Sequence, residues 1–451
     1  MKIASTSKYR QRGSVLIIVL WISLGLVTIA LLFGHSMMLE FRAAENRAAG
    51  WQAEQAIEAA MRYAIYLIEN VEDPGSIPVL EPYQAGPVAL GEAYFWYIGR
   101  ANSFLSSVEP FFGIQDEAAK LNLNTATVEM LEALPFMTPQ FAAAIIDWRD
   151  EDDETSENGA ETDTYLRLNP AYEAKNAPFD SIDELHMVFG AQPEFLFGED
   201  INRNGILDLN ENDGDLTYPP DNQDGRLDPG ILEFVTVYTT QPDTEAEGAQ
   251  MIDLNNDEDG QLQTLLEETF GEERAGEINS PEGSSYESVL EYFNFSGMTT
   301  DEFAQIEGRL TVSNEDIPGG LINVNTASEA VLACVPGIGV ENAAAVVAQR
   351  QSNEPGTSSI TWISDILDEE AVSEASPYLT GTTSHYLIDI AAVGRGGKGY
   401  RRTQFVIETS GEEPRIVARK NLPRLGWALG EQTRLQLAEL KRNPLQRIQR
   451  F

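Results

Sequence analysis

Between Ser14 and Leu39 the chain carries no charged residue, and residues 15–33 are almost wholly apolar. A helix over such a run, rising about 1.5 Å per residue, crosses a hydrocarbon core roughly 30 Å thick. The apolar pattern then continues at helical spacing. Phe41, Ala44, Ala48, Trp51, Gln55, Ala59, Ala60, Tyr63 and Leu67 fall on turns rich in Ala, Glu and Arg, with no proline before Pro74. One continuous helix over residues 14–70 is predicted, half in lipid and half outside. After a turn-rich stretch at 74–87, residues 92–99 (EAYFWYIG) read as a strand from their aromatic and β-branched content. Comparable strands return only at 384–393, 402–409 and 415–419. Helix-like periodicity and acidic loops fill the interval. The expected class is α+β: a sheet frame begun at 71–118 and closed at 379–426, with a helical insert at 119–378. Residues 426–442 read as weakly helical and basic, and 427–451 as a basic, exposed tail.

The insert contains an internal repeat. Residues 122–149 (NLNTATVEMLEALPFMTPQFAAAIIDWR) and 323–350 (NVNTASEAVLACVPGIGVENAAAVVAQR) align at a constant offset without a gap. Asn122, Asn124, Thr125, Ala126, Leu131, Pro135, Ala142, Ala143, Ala144 and Arg149 match their counterparts. Each copy reads as a helix opened by Asn-x-Asn-Thr, a tight Pro-containing turn and a second, Ala-rich helix that packs closely. Shorter helical echoes at 181–189 and 362–367 extend these hairpin units to 119–190 and 320–378. A fainter third copy begins at Asp253-Leu254-Asn255 and runs through 262–278.

Charge sharpens the picture. The 451 residues carry 72 acids and 30 bases, a formal net charge of −42. Residues 1–13 hold four bases and no acid, residues 14–393 hold 13 bases against 67 acids, and residues 394–451 hold 13 bases against five acids. The leading bases place the start of the apolar run on the cytoplasmic side. A cleaved secretory signal competes with an anchor, but the run exceeds the roughly 7–15 residues of an ordinary signal and no A-x-A site follows it. So acidic a body excludes most nucleic-acid binders, which need a basic footprint. The single cysteine, Cys334, excludes an intramolecular disulfide framework, and three histidines leave little room for zinc or His-based catalysis. No nucleophile elbow or P-loop ending is present, and GRGGKG at 394–399 reads as a hairpin loop. A non-enzymatic role is expected.

Calcium is the chemistry with sharp spacing. Residues 200–211 place Asp200, Asn202, Asn204 and Asp208 at positions 1, 3, 5 and 9 of a twelve-residue EF-hand-like loop, with Gly205 at 6 and Glu211 at 12. The Ile206 carbonyl would complete a shell of hard oxygens. Flanking helices of EF-hand length are not expected. Weaker versions follow within 198–260: Asn222, Asp224 and Asp228, with Asp221 substituting in a shifted register, and Asn255, Asp257 and Asp259. The acid-rich run 150–163 lacks glycine-centred spacing and reads as a solvated loop. With three carboxylates in the best site, affinity is expected on the order of 10⁻⁴ M, suited to a calcium-replete space. Bound ions would offset the self-repulsion of an acidic insert.

Arg12-Gly13, Ser14 and the apolar run resemble a type IV prepilin or pseudopilin processing site. This implies that a prepilin peptidase cuts after Gly13 and methylates the new amine of Ser14. Ile18, fifth after the cut, stands where most pilins carry Glu; K-type minor pseudopilins lack that Glu too. Such a subunit need not dock its helix onto a subunit ahead of it. Adding Asp116-Glu117, Lys120-Leu121-Asn122-Leu123-Asn124, the two hairpin units and the closing strands, the whole chain resembles the general secretion pathway protein K (GspK) family of minor pseudopilins. The resemblance implies a pilin-like frame with a helical insert, use of calcium, and a tip complex with the I and J minor pseudopilins of type II secretion. It also implies contact with the secretion system's inner-membrane components and a single-pass inner-membrane protein whose body lies in the periplasm.

The hairpin Val335-Pro336-Gly337-Ile338-Gly339 resembles the helix-hairpin-helix of DNA-uptake receptors, where glycines let backbone amides approach a phosphate. A membrane-anchored DNA-uptake receptor is therefore the alternative. Against it, Phe136-Met137-Thr138 replaces the glycines in the first copy and no basic cluster flanks either hairpin, so a packing module without nucleic acid is preferred. A third reading, a calcium-dependent surface adhesin, would leave the chain uncut after Gly13.

Overall fold

The computed structural model describes residues 13–71, 73, 75–81, 86–100, 111–240, 251–257, 260–278, 285–313, 319–350, 359–411, 413–422 and 424–442. Gly13–Glu69 (α1) is one helix of 57 residues. It is long and apolar enough to cross a membrane, and its apolar window is wholly exposed. Its second half has a different surface. Ala53, Ala56, Ile57, Ala60, Met61, Ala64 and Ile68, recurring once per helical turn, are buried in one stripe. The alanines let the helix lie close to whatever it covers.

The frame opens with Val88–Leu90 (β1), Ala93–Ile98 (β2) and Gln115–Asp116 (β3). The insert follows as three copies of one unit, each closed by a two-residue parallel pair. Leu121–Asn122 (β4) pairs with Val235–Thr236 (β5), Ile252–Asp253 (β6) with Leu310–Thr311 (β7), and Ile322–Asn323 (β8) with Leu379–Thr380 (β9). The faint third copy in the sequence is thus a structural repeat. In each unit the first Asx side chain accepts the amide two residues on: Asn122 from Asn124, Asp253 from Asn255, Asn323 from Asn325. The second Asn then donates to the returning backbone, at Phe179, Tyr286 and Ser359 respectively. The Asn-x-Asn signature is a clasp.

Within the first unit, Val128–Glu132 (α2) and Pro139–Arg149 (α3) are capped by the Thr127 and Thr138 hydroxyls, with Pro139 at the start of α3. Arg149 ends α3 by donating to the Leu123 and Ala126 carbonyls; Arg350 does the same to Val324 and Ala327. The matched arginines therefore close each hairpin onto its own start. One continuous apolar core, from Leu121 to Leu379, runs through all three units.

The frame closes with His385–Gly394 (β10), Lys398–Glu408 (β11) and Arg415–Asn421 (β12). The sheet order is β1-β2-β10-β11-β12, antiparallel throughout, with β3 also on β10. Period-two alternation gives β10 two buried faces. Tyr386, Ile388, Ile390 and Ala392 lie under α1, whereas Ala391 and Val393 join Trp96, Ile98, Ala428, Leu429 and Leu437 on the other side. The GRGGKG run makes the β10–β11 turn, and Gly394 and Gly399 rest on the backbone of Ala49 and Gly50 in α1, where a Cβ has no room.

One expectation changes here. The C-terminal segment is not simply an exposed tail: the helix Gly430–Arg442 docks on the sheet through buried Thr433 and Leu437. Few apolar positions carry that contact, so its sequence reads as polar and solvated. The leader, residues 1–12, lies outside the described residues, as do residues 443–451.

Candidate functional site

The twelve-residue loop follows the short helix Pro193–Phe197 and ends in a single 3-10 turn, Leu209–Glu211. Asp200, Asn202, Asn204, Ile206 and Glu211 are buried, and Asp208 is half-buried. Gly205 supplies the positive φ of the sharp turn. Asp200 accepts the amides of Asn204 at 3.0 Å and Gly205 at 2.9 Å. Asn202 and Asn204 both donate their side-chain NH₂ to Asp208, and Glu211 Oε2 accepts the Asp208 amide. Two oxygens are left over: Asn202 Oδ1 and Glu211 Oε1 are buried without a hydrogen-bond partner, only the Ile201 amide lying near the Glu211 carboxylate. Burial, then the charge of Asp200, pushes the Glu211 carboxyl up to about 9, and burial likewise raises Asp200. Native interiors rarely leave buried acceptors unmatched, and converging carboxylate and amide oxygens suit a hard dication. The residues fit calcium.

The weaker loops behave differently. Asn222 and Asp224 are exposed, and each side chain accepts an amide of its own turn, from Asp224 and Arg226 respectively. Asp221 accepts the Asp213 and Gly214 amides, while Asp228 receives the Asn222 side chain. Asn255 serves in its clasp, and Asp257 caps the helix Gln261–Ala275 through the Gln261 and Leu262 amides. Asp259 lies outside the described residues.

A further cluster escaped sequence reasoning. Asp147, Asp150 and Glu161 bring one carboxylate oxygen each within 4.8 Å of one another. Asp147 is fully buried and Glu161 is 2% exposed, so the acid-rich run at 150–163 is not simply a solvated loop. Asp147 Oδ1, Asp150 Oδ1 and the Glu161 carboxylate oxygens are buried without hydrogen-bond partners, only the Thr162 amide lying near the last. Burial, then Asp147 and Asp150, pushes Glu161 up to about 7. The signal was present but split: Asp147 and Asp150 lie one turn apart at the end of α3, and Glu161 returns after Gly159, which backs onto Asp147.

The Val335–Gly339 hairpin spends the amides that would cradle a phosphate. Ile338 and Gly339 both donate to the Val335 carbonyl, at 3.2 and 3.0 Å. Gly337 is pressed against the Ala371 carbonyl, and Pro336 precedes it in the turn. Glu341, Glu369 and Glu370 stand in the first turns of the adjoining helices. At the position equivalent to Gly337, Phe136 keeps a φ of 61°, so the hairpin shape persists without glycine. Gly13 and Ser14 begin α1.

Residues 113–196 match the family model of the type II secretion system (T2SS) protein K, and residues 318–359 match the helix-hairpin-helix motif. The type II secretion system protein K of Klebsiella pneumoniae is 35% identical over 66 residues, 15% of this chain and 20% of that protein. The chain thus matches about a fifth of the length of that curated relative. Among solved structures, a chain of the GspK-GspI-GspJ complex from enterotoxigenic Escherichia coli aligns at a TM-score of 0.41 and 12% identity, covering 82% of this chain and 96% of that one. The resemblance drawn from the sequence and the family match coincide at residues 113–196, where the chain is similar to the type II secretion system protein K.

Proposed function

We propose that the chain is a minor pseudopilin that caps the tip of a periplasmic pseudopilus and assists protein export. The observation that carries this is a protein K domain set into a sheet mounted on a membrane-length helix. In this reading the prepilin peptidase cuts after Gly13 and methylates Ser14, and the anchor sits in the bacterial inner membrane. The apolar half of α1 leaves the bilayer as the fibre grows. Ile18 offers no carboxylate to a subunit ahead, which suits a terminal position. The insert then forms the outward surface, and the I- and J-type minor pseudopilins are the partners. The role is structural, not catalytic.

Calcium belongs to the same proposal. Asp200, Asn202, Asn204, the Ile206 carbonyl, Asp208 and Glu211 would hold one ion, and the Asp147–Asp150–Glu161 cluster another. A bound dication would neutralise buried acids that outnumber the arginines beside them.

Coexpression of the full chain with I- and J-type partners, followed by sizing, tests the assembly: a co-eluting complex is expected, and separate elution rejects it. Intact-mass measurement of the mature chain should place a methylated Ser14 first. Any other N-terminus counts against the pseudopilin reading. The DNA-receptor alternative is not favoured, because the hairpin amides are already spent and acids surround them; duplex binding at low salt that collapses with salt would revive it.

A further inference from the structure

The outer face of the 200–211 turn is held by the frame. Arg402 of β11 is 1% exposed, and it donates to the carbonyls of Asn202 at 2.5 Å and Arg203 at 2.6 Å. The same guanidinium forms a fully buried ion pair with Asp389 of β10, which also accepts from Gln404. Arg100, just beyond β2, adds a second donor to the Arg203 carbonyl at 2.8 Å while pairing with Glu233 at 2.6 Å. The backbone carbonyls of one turn therefore face two frame arginines, and its side-chain oxygens face inward toward the candidate ion.

Charge decides what holds the turn in that shape. Arg402 pairs with Asp389, while Arg100 and Arg203 are shared between Glu233 and Asp200, so five acids (Asp389, Glu233, Asp200, Asp208 and Glu211) meet three guanidiniums. Glu431 and Arg434 both reach toward Asp208 from the rim and cancel. The surplus is about two negative charges, the charge of one calcium ion.

We propose that calcium in the 200–211 loop is the joint that fastens the insert to the sheet frame. Removing the ion lets the three carboxylates separate, the turn opens, and the Asn202 and Arg203 carbonyls leave Arg402 and Arg100. Because ion and docking share one turn, each strengthens the other by the same factor. A second link between the two parts is independent of any ion: Asp116 of β3 accepts from Asn323 at 2.8 Å and from the Thr326 hydroxyl at 2.6 Å. That link serves as an internal reference. The proposal rests on the structural-calcium reading and reaches beyond it, to where one ion acts.

The test uses the full chain in detergent micelles, with calcium chloride as the probe and chelator as the reference. Bound ions are counted by equilibrium dialysis, and amide exchange is followed by mass spectrometry. Calcium should slow exchange at least tenfold in peptides spanning 200–211 and 398–408, and leave 115–116 and 322–326 unchanged. Glu211→Gln keeps an acceptor for the Asp208 amide, so it should fold, bind one ion fewer, and lose the calcium effect at 398–408. Asp224→Asn should change neither. If calcium binds and Glu211→Gln loses an ion while exchange at 398–408 is indifferent to calcium, the joint is overturned and structural calcium stands. If Glu211→Gln binds as many ions as the parent, the ion lies elsewhere and the assignment fails. If the parent binds none, both fall.

Discussion

Two loops in this molecule share the Asx-x-Asx-Gly pattern and differ in everything that matters to an ion. In 200–211 the Asp200 and Glu211 carboxylates are buried, and two oxygens of the loop lack a side-chain partner. In 221–228 Asn222 and Asp224 are exposed and Asp221 and Asp228 half-buried, and the turn's own amides and side chains occupy them. Residue spacing places oxygens around a point in both. Burial decides whether water already satisfies them, and therefore whether a dication gains by binding.

The comparison can be broken most violently at its buried end. Arg402→Met leaves Asp389 uncompensated among fully buried neighbours, and should cost about 3–5 kcal/mol in denaturant unfolding of the full chain. An acid buried outside any cluster separates burial from ion binding. Glu307 is 5% exposed, accepts the Ile360 amide at 2.8 Å, and is pushed up to about 8 by burial. A carboxyl raised above its unfolded value of 4.5 favours the folded state below that value and loses the contribution as pH climbs through 8. Stability should therefore fall between pH 5 and 8 by on the order of 2 kcal/mol, and Glu307→Gln should flatten that fall in pH-dependent thermal scans.

Calcium effects come next in size. At 1 mM ion and a dissociation constant of ~10⁻⁴ M, one site adds about 1.4 kcal/mol, a rise of a few degrees at most for a chain this long. Glu211→Gln should abolish its site's share. In chelator the order should reverse, with Glu211→Gln at least as stable as the parent, because Gln cannot ionise beside buried Asp200, where burial and that charge already oppose a Glu211 carboxylate. Differential scanning with and without calcium reads both halves. The smallest change is expected in the exposed loop: Asp224→Asn should stay within about 0.5 kcal/mol under either condition.

Much of the architecture was legible because it rests on period. The run before Phe33, the strand-like residues around Phe95 and Ile388, and the repeated Asn-x-Asn-Thr each carry a local signature. The Asp147–Asp150–Glu161 cluster was not legible, since its burial depends on how the chain returns after Gly159, a tertiary fact. The docking of Gly430–Arg442 was hidden for a similar reason: the sheet face it covers is assembled from Trp96 and Val393, far apart in sequence. Arg402 also looked ordinary. In sequence it sits in an unremarkable basic strand, and only the fold buries it against Asp389.

The two-residue clasps that shut each unit of the insert bear on how such a head diversifies. Residues 121 and 236 bound the first unit, 322 and 380 the third, and the first is roughly twice as long. Both acidic turns lie within that extra length. Lengthening an already closed ring adds only about 0.6 kcal/mol of entropy per doubling. New surface can therefore accrue between the clasps over evolutionary time while strand register at their ends stays the same.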